Sequence, residues 1–99
     1  MNITKTRDNQ TVTISVDGRI DSSTVPQLET SVKSEVKDCA KIIFDFENLS
    51  YISSAGLRIL LGARKIMGDQ GVKIINVSEE VYEVFEITGM SKILDVETI

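Results

Sequence analysis

Ile42-Ile43-Phe44-Asp45-Phe46-Glu47-Asn48-Leu49-Ser50-Tyr51-Ile52-Ser53-Ser54-Ala55-Gly56-Leu57-Arg58-Ile59-Leu60-Leu61 runs from a short apolar segment, through a polar step, into two adjacent hydroxyls, a glycine and a longer apolar segment. Ile42 to Phe46 is nearly continuous and rich in strand formers, the pattern of a central strand covered on both faces, with Asp45 standing out inside it. From Ser54 to about Gln70, Leu57, Ile59, Leu60, Leu61, Ala63, Ile66 and Met67 form a wide helical stripe, with Arg58, Gly62, Lys65 and Asp69 along one exposed face. Gly71 suits the left-handed position that stops such a helix. The stretch therefore reads as strand, elbow, helix.

Upstream, Val12, Ile14 and Val16 alternate with Thr11, Thr13, Ser15 and Asp17, the period of a strand with one buried face. Ile3 to Arg7 is expected to pair with it, because Asp8-Asn9-Gln10 supplies turn chemistry between the two runs. Asp21-Ser22-Ser23-Thr24 are capping residues, and Pro26 fits a first helical turn, where its missing N–H costs nothing. A helix is predicted to begin near Thr24 or Val25, with Val25, Leu28, Val32 and Val36 on one face and Glu29, Lys33 and Lys37 on the other. Downstream, Val72 to Val77 reads as a buried strand. Ser78 then caps a helix with Glu79 and Glu80 in its first turn and Val81, Val84, Phe85 and Thr88 inward, which Gly89 can end. Ile93 to Val96 adds a final strand or a short helix.

This order implies an α/β fold: a mixed sheet of four to five strands with an N-terminal hairpin and packed helices, since helical crossovers favour parallel neighbours. The 99 residues, 41% of them hydrophobic, fit one domain with no Pro/Gly/Ser-rich linker dividing it. A net charge of -4 and scattered basic residues argue against nucleic acid as a partner. No apolar run approaches the roughly 18 residues of a spanning helix, and Met1-Asn2-Ile3-Thr4-Lys5 lacks a signal-peptide core, so no membrane association and a cytoplasmic location are expected. Cys39 is the single cysteine, which allows no internal disulfide and reads as a small residue near a helix end. The chain has no histidine, which removes Ser-His and Cys-His catalysis and imidazole metal sites; neither enzymatic activity nor a metal or other cofactor is expected.

At the elbow, unpaired backbone N–H groups and the positive end of a helix dipole meet two hydroxyls. A phosphate there would be held locally while altering the surface shown to a partner. A serine before a helix is also an ordinary cap, and the two readings are compatible if Ser53 caps while Ser54 accepts. Asp21 serves either a turn or a partner surface, and Asp45 either satisfies donors at a strand end or joins that surface. Arg58, one turn after Ser54, is in position to reach a phosphate.

The run from Phe44 to Leu61 resembles the signature of STAS domains, especially bacterial anti-sigma-factor antagonists: an Asp in an apolar strand, a hydrophobic step, a Ser-rich elbow, Gly and an apolar helix. Gly18-Arg19-Ile20-Asp21 is similar too, and element order agrees over essentially the whole chain. The resemblance implies an elbow hydroxyl phosphorylated by an anti-sigma factor with serine kinase activity and restored by a serine phosphatase. Aligned on Gly56, that acceptor is Ser54; Ser53 stands where the family has Asp, and Ala55 where it has a second hydroxyl. The partner surface so implied comprises Asp21, Ser22, Ser53, Ser54, Ala55, Gly56 and Arg58. In that reading the unmodified protein binds an anti-sigma factor and frees a sigma factor, and phosphorylation ends the binding. Two alternatives stand beside it: a non-phosphorylated STAS subunit of a signalling or lipid-transport complex, and a small hydrolase using Ser53 or Ser54, for which the chain offers no visible base.

Overall fold

Asn9 adopts φ 60° and turns the chain at Asn9-Gln10, so that β1 (Asn2–Asp8) pairs antiparallel with β2 (Thr11–Ile20), Asn2 opposite Asp17 and Asp8 opposite Thr11. The computed structural model, which describes all 99 residues, continues through α1 (Val25–Lys33), β3 (Lys41–Asp45), β4 (Leu49–Ile52), α2 (Ser54–Met67), β5 (Val72–Val77), α3 (Glu79–Ile87), a 3-10 turn at Met90–Lys92 and β6 (Asp95–Thr98). The sheet order is β1-β2-β3-β5-β6, with β4 joined to the far end of β2, and every pairing except the hairpin is parallel.

Register decides which side is the core. Val12, Ile42 and Val72 lie abreast, as do Ile14, Phe44 and Ile74, and all six are buried. Leu28 and Val32 of α1, Leu57, Leu60 and Ala63 of α2, and Val81 and Phe85 of α3 close over that face in one continuous cluster. The opposite face carries Thr13, Ile43 and Lys73 abreast, then Ser15, Asp45 and Ile75, all half-buried. All three helices therefore cover one face of the sheet, and Ile42 to Phe46 is not covered on both faces as its near-continuous apolar run suggests. Ile43 suits the outer face because a β-branched side chain packs well on a pleated, half-buried surface.

Three boundaries differ from the sequence reading. The sheet has six strands rather than four to five, because Leu49–Ile52 pairs with β2 across an irregularity at Gly18/Arg19 and Asp95–Thr98 follows the 3-10 turn. Helix α2 ends at Met67, where Gly68 takes φ 89°; Gly71 is instead a close approach, since a Cβ there would lie 2.6 Å from the Met67 carbonyl oxygen. Helix α1 ends at Lys33, and Val36 reaches the core from the turn that follows.

The edge strand β1 turns Lys5 and Arg7 toward the helical side, opposite Ile14 and Val12, where both meet Glu35, at 3.5 and 3.3 Å. Charges pointing inward on an edge strand oppose pairing with another chain.

Candidate functional site

The elbow sits where β2 and β4 end together. Ile20 lies opposite Ile52, and the Ser53 N–H donates to the Ile20 carbonyl at 2.8 Å, so Asp21 begins one residue beyond the bond that anchors the start of α2. Gly56 makes this junction possible: a Cβ would fall 2.6 Å from Ile20 Cγ2 and 2.9 Å from Ile52 Cγ1. Its role is close approach, not an unusual dihedral, since its φ is not positive.

Ser53 is the N-cap, extended at φ -86° and ψ 167°, and its Oγ accepts the Gly56 N–H at 3.2 Å. Ser54 opens the helix, is exposed, and its Oγ has no partner within the protein. Two neighbouring hydroxyls therefore differ in availability. Neither hydroxyl is hydrogen-bonded to a side-chain base. Ala55 is half-buried beside them, and Arg58 is exposed one turn on, making neither an ion pair nor a hydrogen bond.

Across the junction, Asp21 organises the turn into α1. Its Oδ1 accepts from the Ser23 Oγ at 2.7 Å and the Ser23 N–H at 3.0 Å, while Thr24 Oγ1 accepts the Asp21 N–H and donates to the Arg19 carbonyl. The Ser23 hydroxyl, chiefly, holds the Asp21 carboxyl below its usual pKa, with the Ser23 and Thr24 N–H groups and Arg19 acting the same way. Ser22 projects exposed from the same turn.

Asp45 is engaged elsewhere. Its Oδ1 accepts the Glu47 N–H and the Asn76 amide, each at 3.1 Å, and so steadies Asn76 at φ 58°. Cys39 is half-buried, its thiol bonded to the Glu35 carbonyl, and burial pushes its pKa up, away from thiolate reactivity.

One feature at the elbow was not identified from the sequence. The Arg19 guanidinium lies 4.4 Å from the Tyr51 ring centre and 3.7 Å from the Asp21 carboxylate, placing a cation over an exposed aromatic ring beside the two serines. The signal is the pairing of Arg19 with Tyr51, which exists only once β4 is recognised as a strand.

A STAS domain family model matches residues 2–99. An anti-sigma-B factor antagonist of Staphylococcus aureus is 32% identical over 99 residues, covering 97% of this chain and 92% of that protein. The solved anti-sigma factor antagonist SpoIIAA in its unphosphorylated form superposes with TM-score 0.82 at 24% identity, over 98% of this chain and 89% of that one. The phosphorylated form of the Bacillus cell fate determinant SpoIIAA gives 0.74 at 22%, over 98% and 92%. No helix of this chain is long and apolar enough to cross a membrane.

Proposed function

The chain belongs to the STAS domain family, and on that premise we propose that it is an anti-sigma-factor antagonist switched at Ser54. The unmodified elbow binds an anti-sigma factor and so frees a sigma factor. A serine kinase activity of that partner phosphorylates Ser54, and a serine phosphatase reverses the change. The carrying observation is the division between the two hydroxyls: Ser53 is held as the cap, while Ser54 is exposed and unbonded on a rigid helix start.

A phosphate adds roughly -1.5 to -2 charge and three acceptor oxygens. Beside the first-turn N–H groups of α2 and one turn from Arg58, it is stabilised without moving the backbone, and it changes the charge presented to the partner. Binding is altered while the fold is kept. Asp21, Ser22, Ser53, Ala55, Gly56 and Arg58 form the surrounding contact surface in this reading.

The test is titration calorimetry of the anti-sigma factor from the same organism against wild type, Ser54→Ala and Ser54→Asp. Wild type and Ser54→Ala are expected to bind alike, and Ser54→Asp to bind roughly tenfold or more weakly, a loss of about 1.4 kcal/mol. Equal affinity of Ser54→Asp and wild type would refute the switch. Incubation with that factor and ATP should add one phosphate by intact mass, absent in Ser54→Ala.

A further inference from the structure

Helices α1 and α2 leave a groove of about 350 Å³ between them. Its walls are apolar, formed by Val25 and Val32 on one side and Ile59 and Ile66 on the other. Gly62 lies among them, and a Cβ built on it meets no atom within 4 Å. A glycine in a helix interior weakens the element and is usually explained by a positive φ or a crowding neighbour. Gly62 has neither, so nothing inside the molecule requires it. Ile66, on the next turn, is 63% exposed. The helix keeps a slot open and leaves an aliphatic wall in water.

Charge distinguishes the slot from a bare apolar face. Glu29 and Lys33 on its rim pair with one another at 3.9 Å, which leaves Arg58, at the elbow end, as the uncompensated charge. The rim is therefore positive on a chain of net charge -4. A guanidinium on an apolar shelf matches a carboxylate flanked by a hydrophobic side chain.

We propose that the α1–α2 groove is a docking slot for a partner segment that lays an aliphatic or aromatic side chain over Gly62 and sets a carboxylate on Arg58. The slot is continuous with the elbow, since Ala55 and Arg58 line it. The inference rests on the binding-module reading and extends its contact face along α2. It also gives Arg58 two competing anions: the partner's carboxylate, and a phosphate on Ser54 one turn away.

The full chain, immobilised, is panned with a displayed library of random short peptides, alongside Gly62→Leu and Arg58→Glu. Wild type is expected to enrich peptides with a bulky apolar residue close to Asp or Glu. Gly62→Leu fills the open space and favours the helix, so it should bind a selected peptide roughly tenfold or more weakly with its melting temperature unchanged or raised. Arg58→Glu should select Lys or Arg in place of the acid. Lack of any enriched pattern, or peptides that bind Gly62→Leu as well as wild type, would overturn the assignment. So would a concentration-dependent dimer abolished by Gly62→Leu, which gives the groove to a second copy. If Ser54→Asp weakens capture of the anti-sigma factor but Gly62→Leu does not, the slot fails and the switch stands; selected peptides without anti-sigma binding give the reverse.

Discussion

Ser53 Oγ is engaged by the Gly56 N–H, whereas Ser54 Oγ projects into water from the first turn of α2. Their truncations should separate accordingly. Ser53→Ala removes the cap of the fourteen-residue helix α2 and is expected to lower unfolding free energy by about 1 kcal/mol. Ser54→Ala removes no internal bond and should stay within about 0.5 kcal/mol of wild type. Urea titrations of both variants, read by circular dichroism, check the contrast; equal losses would mean that the capping bond does not carry the difference. This division was legible in the sequence because capping is local chemistry, set by a hydroxyl and the next three residues. The Arg19–Tyr51 contact was not legible, since it depends on which residues two separate strands place abreast.

The start of α2 is fixed by the ends of two strands, and Gly56 is the point where they touch. Gly56→Ala would drive a methyl into Ile20 and Ile52, both in the closed core, so an overpacking cost of about 1 to 3 kcal/mol is expected. Its companion Gly62→Ala has open space around the new methyl and should be neutral or stabilising. Thermal unfolding of the pair tests whether glycine at the elbow is a matter of packing. Elements with a strong period were readable: the alternation of Val12, Ile14 and Val16 and the stripes of the three helices define strand and helix without tertiary information. Strand β4 was missed because its four residues show no alternation, only Leu49 and Ile52 being buried, and because its partner residues on β2 shift register at Gly18/Arg19. The end of α2 was read at Gly71, but Gly68 has the positive φ, while Gly71 meets a steric demand made by Met67.

In the whole molecule, β2 serves two halves of the sheet: Thr11 to Ser15 pair with β3, and Gly18 to Ile20 pair with β4. Its hairpin with β1 is local, whereas both parallel pairings require α1 and its turns to cross over first. Hairpins close in roughly 1 to 10 μs, and pairings between distant segments come later because loop closure must be met before they form. Pulse-labelled hydrogen exchange during refolding should therefore protect the β1–β2 amides before the Ser53 N–H, which is bonded to Ile20; simultaneous protection would argue against that order. The joint between the two halves of β2 thus dates the elbow. A newly made chain acquires its hairpin early but presents the Ser53-Ser54 corner only when the crossover through α1 and β3 has brought β4 against β2, so a partner that reads the corner by shape would meet it on folded copies and not on nascent ones.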